Sequence, residues 1–288
     1  MRISEALALG ASRLPRRRGL ADPAREAAWL LARATGLSEA RVRTDPGLEL
    51  DEHALVRYHD WVERRAAGEP AHHLSGTCPF WGIELHVSPA VLVPRPETEL
   101  LVEAALDLPL IAEPISDAGD APIRVLDIGT GSGCILVALG LERPGWVLAG
   151  VDRSAAALAV ARRNLRDAGV PALLWQGDLA AATRTRLDLI VANLPYIPSG
   201  DLADLPIEVQ HDPVLALDGG PDGLDLIARL LGRLGAILTG HGHAVLEIGD
   251  DQAGAVAQLA AAEGLEVDRR VRDLGGVERV LVLRRRRV

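Results

Sequence analysis

"VLDIGTGSGC", residues Val125 to Cys134, is a short apolar run that breaks into three glycines at alternate positions and then enters helix-forming sequence. Glycines at a strand-to-helix turn let the backbone approach a ligand closely and adopt dihedrals that other residues resist. The spacing is G-x-G-x-G, whereas dinucleotide binders use G-x-G-x-x-G. A phosphate-cradling P-loop would end in Lys-Ser/Thr, and the chain contains no lysine at all. Asp127, just before the glycines, is a carboxylate where a pyrophosphate is unwelcome and a cationic amino-acid head group is welcome.

On either side of this turn strands and helices alternate. "RVLDI" reads as a strand and "CILVALGLE" as a helix, followed by "WVLAGVD" (strand), "SAAALAVARRNLRDAG" (helix), "ALLWQ" and "LDLIVAN" (strands). A helix at Leu224–Leu234, a strand at Ala244–Ile248, a helix near Gln252–Glu263 and a strand pair at "EVDRRV" and "ERVLVL" complete the series. Alternation with largely apolar strands predicts an α/β fold, a mostly parallel, doubly wound sheet. In such a sheet Asp152, at the tip of the second strand, is placed to accept both hydroxyls of a ribose. Asp178 and Leu179, at the tip of the third, fall where an adenine would lie. A nucleoside that carries an amino acid and no phosphates is S-adenosyl-L-methionine. The cofactor-binding candidates are therefore Asp127, Gly129, Thr130, Gly131, Ser132, Gly133, Asp152, Asp178 and Leu179.

"LDLIVA" leads at the carboxyl edge of the same sheet into Asn193-Leu194-Pro195-Tyr196. A conjugated nitrogen is a poor nucleophile because its lone pair is delocalised. Two acceptors aimed at its N–H bonds orient it and favour partial positive charge on nitrogen. Asn193 offers a side-chain carbonyl. Leu194 offers a backbone carbonyl, held extended by Pro195, and Tyr196 a ring to lie against the planar group. These four are the candidate catalytic and substrate-binding residues, with Asn193 also touching the cofactor. No strong general base is required, because the alkylated nitrogen loses its proton easily.

The first 70 or so residues read as helices. "ADPAREAAWLLARATGL" has Asp22 as N-cap, Pro23 at the first helical position and Gly36 as a stop, with Ala24, Ala27, Ala28, Leu31 and Ala34 on one face. "DEHALVRYHDWVERRAAGEP" places Leu55, Tyr58, Val62 and Ala66 on one stripe. From Gly76 the pattern changes. "FWGIELHVSPAVLVPRPETE" alternates at Ile83, Leu85 and Val87, predicting a hairpin that prolines 89, 94 and 96 interrupt. A helix at Glu97–Leu106 and a polar surface loop, "LIAEPISDAGDAP", follow. The expected organisation is a small helical-bundle domain (1–72), a β-hairpin connector (73–94) and the α/β domain (95–288).

Composition narrows the function further. The chain of 288 residues is 48% hydrophobic and 25% charged, as in a globular protein, and its formal charge is −9. That balance argues against a protein that coats nucleic acid. The basic runs "RLPRRRG" (Arg13–Gly19) and "RRRR" (Arg284–Arg287) read as solvated surface or tail. There is no charge-free apolar stretch of about 18 residues and no signal-peptide pattern. Cys78 and Cys134 lie far apart without metal-type spacing. The sequence contains neither G-x-S-x-G nor H-E-x-x-H. The expectations are a cytoplasmic location, no metal, no membrane association and no stable binding to nucleic acid.

Several stretches, taken in order, resemble the bacterial release factor glutamine methyltransferases. They are "GEPAHHLSGTCPFWGIELHVSPAVLVPRPETELLVE", with "PRPETE" (Pro94–Glu99) its most telling part, then "VLDIGTGSGC", "VDRSAAALAVARRN", "GDL", "VLALDGGPDGLD" (Val214–Asp225), "LEIGDDQ" and "DLGGVERV". The resemblance covers roughly residues 68 to 283. It implies a helical domain that helps recognise a protein, and a Rossmann-like, S-adenosylmethionine-dependent methyltransferase domain. It implies methylation of the glutamine side-chain amide in the Gly-Gly-Gln motif of class I peptide chain release factors, a step that supports translation termination. It also implies that Gly129 to Gly133 and Asp152 bind the cofactor with Leu179 beside the adenine, and that Asn193 to Tyr196 grip the glutamine. Arg95 and Glu97 are implied supports of the same pocket.

Two departures stand out. The family has Asn-Pro-Pro-Tyr where this chain has Leu194, a variant that also resembles the Asn-Leu-Pro-Tyr of ribosomal RNA adenine dimethyltransferases. "AHHLSG" departs as well, and His72 and His73 read as surface or hairpin packing in preference to a regulatory pair. Two alternatives therefore stay open: an adenine methyltransferase acting on RNA or DNA through this loop, and a non-catalytic methyltransferase-like binding protein.

Overall fold

The computed structural model describes residues 1–16, 22–110 and 122–286. Most of the Leu110–Pro122 loop and parts of the two basic runs lie outside the described residues. The described chain divides into two compact units. One comprises Met1–Thr77 with Pro206–His211, the other Cys78–Leu205 with Asp212–Val288.

The first unit is helical: α1 (Ile3–Arg13), α2 (Pro23–Thr35), α3 (Glu39–Thr44), α4 (Glu52–Ala66) and the short α5 (Ala71–Ser75). Pro23 and Gly36 bound α2 as the sequence predicts, Gly36 in the left-handed conformation, but Asp22 makes no side-chain cap bond. Asp51 does cap α4, accepting from the Ala54 amide at 3.0 Å. Ala27, Ala28, Leu31 and Ala34 are buried as expected, together with Leu30, while Ala24 faces solvent in the first turn. Tyr58 and Val62 fill the centre of the bundle, and the Tyr58 hydroxyl donates to the Ala6 carbonyl at 3.2 Å. Buried Arg65 pairs with both Glu26 and Glu208, which fixes Pro206–His211 to this unit. The hairpin expected within 73–94 begins at Thr77, after α5. Pro70 starts and Gly76 stops α5, so His72 and His73 are helical. His72 packs edge-on against Trp29 with ring centroids 5.3 Å apart, and His73 is buried.

Strands β1 (Thr77–Phe80) and β2 (Ile83–His86) form the hairpin, which from Cys78 on belongs to the second unit. They turn at Trp81-Gly82, both with positive φ. Helix α6 spans Glu97–Leu106. The main sheet contains β3 (Arg124–Ile128), β4 (Val147–Asp152), β5 (Ala172–Gln176), β6 (Leu187–Asn193), β7 (Leu238–Glu247), β8 (Leu265–Arg272) and β9 (Glu278–Arg285). Its order is β5-β4-β3-β6-β7-β9-β8, parallel except that β9 runs antiparallel to β7 and β8. The helices between are α7 (Cys134–Glu142), α8 (Ala155–Asp167), α9 (Asp225–Ile237) and α10 (Ala253–Ala262). Strand β7 starts six residues earlier than the pattern suggests, because Leu238 pairs with Leu187 ahead of an irregularity in the ladder.

Side chains alternate between two apolar layers. Leu126, Ile128, Ile190, Ala192 and Leu246 meet α9 and α10 on one face. Val125, Leu189, Val191 and Val245 meet α6 and α7 on the other. Both faces are covered, as a parallel sheet requires. The direction of winding reverses at β3, which has β4 on one side and β6 on the other. The carboxyl ends of these strands therefore open a crevice where ligands of such sheets bind. Among the described residues no helix is long and apolar enough to cross a membrane.

Candidate functional site

One cleft lies at that crevice and encloses about 1070 Å³, part of it open to solvent. Its lining brings together Arg95, Gly129, Thr130, Gly131, Ser132, Asp152, Asp178, Leu179, Asn193, Leu194 and Pro195 from five separate stretches of sequence.

The glycine turn explains its own spacing. Gly129, Gly131 and Gly133 all have positive φ, at +77°, +53° and +78°. A side chain on Gly131 would face open space, with only the Gly129 carbonyl within 4 Å, so strain and access, not crowding, select glycine there. Gly133 begins α7 against Ala161, where a Cβ would lie 3.1 Å from the alanine methyl. Asn164 of α8 braces the turn. Its Nδ2 donates to the Ser132 carbonyl and to the His86 carbonyl, both at 2.9 Å, and its Oδ1 accepts the His86 amide at 2.8 Å.

Asp127 is fully buried beneath the turn. One oxygen accepts the Thr130 hydroxyl at 2.6 Å, and the other has no hydrogen-bond partner. Burial pushes this carboxyl up to about 7, the nearby Asp152 charge adds to the rise, and the Thr130 bond opposes it. A buried carboxylate oxygen left without a donor is costly. Asp127 and Gly133, both expected at the cofactor, do not themselves line the cleft, and Asp127 stands behind Thr130 with an oxygen whose charge and hydrogen bonding suit a cationic amine.

Asp152 is held rigidly, its Oδ2 accepting the Gly131 amide and its Oδ1 the Ser154 amide, each at 2.8 Å. Each oxygen keeps a lone pair for a further donor. Asp178 is half exposed and ion-paired to Arg229 at 2.5 Å. Leu179 adopts φ +49°, a conformation that costs an L-residue about 1–2 kcal/mol. Such strain persists where surrounding structure imposes it, commonly at ligand sites.

Beside the turn, Asn193 ends β6, the strand next to β3. Its Nδ2 donates to the Thr98 hydroxyl at 3.1 Å, and that hydroxyl donates to Glu247 Oε2 at 2.8 Å. Glu247 is the register partner of Asn193 on β7. The Leu194 side chain is buried and packs over the glycine turn, its Cδ2 at 3.2 Å from where a Gly129 Cβ would sit. Leucine at this position therefore fills the space between the turn and the loop, beyond the carbonyl the sequence credits it with. Tyr196 is not part of the lining. Its ring lies against Gly249, its carbonyl accepts Gln252 Nε2 at 2.9 Å, and burial pushes its hydroxyl up to about 12.

Arg95 reaches the cleft and pairs with buried Asp212 at 2.7 Å. Glu97 is exposed at the start of α6 and does not line the cleft, and Thr98 is the residue of that turn in contact with Asn193. Sequence reasoning missed Thr98, Glu247, Asn164, Asp212 and Gln252. A lone Glu closing the apolar run "AVLE" was the one available signal, since a charge there must find a buried partner.

A profile described as "PrmC N-terminal domain" matches residues 5–76, and one described as "Methyltransferase small domain" matches residues 110–205. The release factor glutamine methyltransferase of Caulobacter vibrioides is 40% identical over 268 residues, covering 92% of this chain and 90% of that one. That of Moorella thermoacetica is 40% identical over 272 residues, covering 93% of each. Among solved structures, a methyltransferase from Pyrococcus furiosus superposes with a TM-score of 0.52 at 16% identity, over 70% of this chain and 88% of its own. The 16S rRNA N2 G1207 methyltransferase of T. Thermophilus, in complex with AdoMet and guanosine, gives 0.50 at 21% identity, over 73% of this chain and 50% of its own. These two likenesses concern the fold alone. Relatives of one kind, aligned over more than nine-tenths of the sequence, decide the matter: the chain belongs to the release factor glutamine methyltransferase family.

Proposed function

We propose that this chain transfers a methyl group from S-adenosylmethionine to the side-chain amide nitrogen of the glutamine in the Gly-Gly-Gln motif of class I release factors. The observation that carries this reading is the Asn193 carboxamide. It stands at the cleft with its NH₂ committed to Thr98, beside a glycine turn suited to a phosphate-free nucleoside.

The cofactor contributes a methyl group on a sulfonium, electrophilic without further activation, and the remaining work is positional. Asp152 and Leu179, which line the cleft, would hold the ribose hydroxyls and the adenine, and Asp127, buried behind Thr130, would meet the amino-acid head through its unpartnered oxygen. Asn193 Oδ1 and the Leu194 carbonyl accept the two N–H bonds of the glutamine amide. Their pull opposes amide conjugation and holds the nitrogen lone pair toward the donor. Pro195 keeps Leu194 extended. After transfer the alkylated nitrogen sheds a proton to water, so no buried base is needed.

The direct test incubates the protein with methyl-labelled cofactor and either a release factor or ribosomal RNA. Label is expected on the release factor and should vanish when the glutamine of its Gly-Gly-Gln motif is replaced by alanine. Label on RNA alone would sink the proposal, and tight cofactor binding with no label would point to a non-catalytic role.

The state of Asp127 leads to a prediction about binding. In the free protein its carboxyl is protonated up to about pH 7, whereas an ammonium partner requires the carboxylate. Affinity for S-adenosylmethionine should therefore weaken roughly tenfold between about pH 8 and pH 6, with a proton released on binding. The sign for folding is the reverse of an ordinary ion-paired aspartate. The raised value means that this group's stabilisation is fully present below its usual 3.8 and is lost as pH rises through about 7. Titration calorimetry at several pH values checks the binding slope, and Asp127→Asn should be weak and pH-insensitive. A wild-type affinity independent of pH would remove Asp127 from the cofactor site.

A further inference from the structure

We propose that Thr98 and Glu247 are positioning residues that decide which end of the Asn193 carboxamide faces the acceptor. This rests on the reading above for the identity of that acceptor. The two ends of a carboxamide are nearly identical in shape, so only hydrogen-bond partners distinguish them. Here the partners form a one-way chain. The Thr98 hydroxyl has a single proton and gives it to Glu247 Oε2 at 2.8 Å. What remains on Oγ1 is lone pairs, which can only accept, and Asn193 Nδ2 supplies the donor at 3.1 Å. With its NH₂ given to Thr98 on the protein side, Asn193 keeps Oδ1 for the cleft.

A rotated amide would set oxygen against oxygen at a buried contact, since Thr98 and Glu247 are 2% and 3% exposed. Leaving such a group unsatisfied is costly. The sheet builds this arrangement. Register places Glu247 opposite Asn193 on adjacent parallel strands, and the first turn of α6 lays Thr98 across both.

The direction of the chain depends on the charge of Glu247. An ionised carboxylate can only accept. A protonated one can donate to Thr98 Oγ1, which frees the hydroxyl proton for Asn193 Oδ1 and reverses the amide. Burial raises this carboxyl to about 7, with Glu97 adding to the rise, while Thr98, Asn193 and Arg279 oppose it. The phenol of Tyr196 and the thiol of Cys134 also feel its charge, and burial pushes both up to about 12. Turnover should accordingly fall as pH drops through about 7. At saturating cofactor this limb belongs to the bound complex and is separate from the titration of Asp127.

The test uses the full-length protein and its Thr98→Val, Thr98→Ser and Glu247→Gln variants. Turnover is measured on a release factor from about pH 6 to 9 at saturating cofactor. Thr98→Val should lower kcat by roughly tenfold or more, with cofactor affinity within about twofold of wild type, and Thr98→Ser should restore it. Glu247→Gln should be slow and lack the acidic limb. In parallel, asparagine-selective ¹⁵N NMR follows the Asn193 side-chain NH₂, assigned by its absence in Asn193→Ala. It should titrate near pH 7 in the wild type and not in Glu247→Gln. Wild-type kcat in Thr98→Val, an acidic limb that survives in Glu247→Gln, or an NH₂ signal insensitive to pH would each overturn the proposal. A wild type that labels no release factor would defeat the functional reading instead, and the NMR titration would still decide the relay.

Discussion

Alanine at Asn193 is expected to lower methyl transfer by about two to three orders of magnitude while leaving the fold and cofactor binding nearly intact. In the proposed reaction the side chain supplies one of two acceptors for the nucleophile, and removing one preorganised partner of a developing charge typically costs about 10²–10³ in rate. The loss should fall on kcat, because the interaction strengthens as the nitrogen gains positive charge. Structure should suffer little. Thr98 keeps its bond to Glu247, and the backbone of β6 keeps its register with β3 and β7. One lost hydrogen bond is worth about 1 kcal/mol, a shift of a few degrees at most in the melting temperature of a protein this size. Single-turnover transfer to a release factor, set beside a thermal melt and a cofactor titration, separates these quantities. Turnover within tenfold of wild type would show that Asn193 is not an acceptor for the reacting amide.

What the sequence made legible follows the range of the forces involved. The strands β3 to β6 and the helices between them announce themselves through apolar runs of the right length, and α6 begins where "PRPETE" ends its prolines. The glycine turn and Asn193 were legible because backbone strain and strand-end position are local properties. The residues that hold Asn193 were not. Thr98 lies 95 positions before it in sequence. Glu247 becomes its neighbour only through the pairing of β6 with β7. Neither has a periodicity or spacing that singles it out, and the choice of Arg95 and Glu97 as supports came within one residue of Thr98 without reaching it. Helix phase on α6 decides that Thr98 points into the core while Glu97 faces water. Leu194 illustrates the same limit. Its carbonyl role follows from Pro195, but its packing over Gly129 follows from tertiary structure alone.

Replacing Gly223 with alanine should damage turnover about as severely as the loss of Asn193, from a position that need not touch either substrate. The stretch after the acceptor loop is its scaffold. Ile197 donates to the Leu217 carbonyl at 3.1 Å and accepts from Gly219 at 2.9 Å, and Ser199 donates to Gly220 at 2.8 Å. Gln252, at the start of α10, then clamps three segments. Its Nε2 reaches the carbonyls of Tyr196 and Gly223, and its Oε1 accepts the Gly249 amide. Gly223 sits at φ +75°, and a Cβ there would overlap the Tyr196 carbonyl oxygen. The backbone must yield, because the strain of a left-handed alanine, about 1–2 kcal/mol, adds to the clash. The yielding element is Pro195–Tyr196, which drags the Leu194 carbonyl with it, and a displacement of about 1 Å at a reacting group can cost roughly 10²-fold. The glycine turn is anchored separately, through Asp152, Val151 and Asn164, so cofactor affinity should stay near wild type. Gly254→Ala serves as the control, since a Cβ there meets nothing within 4 Å and alanine suits the helix. Kinetics of Gly223→Ala within about twofold of Gly254→Ala would mean that the acceptor loop holds its geometry without this brace.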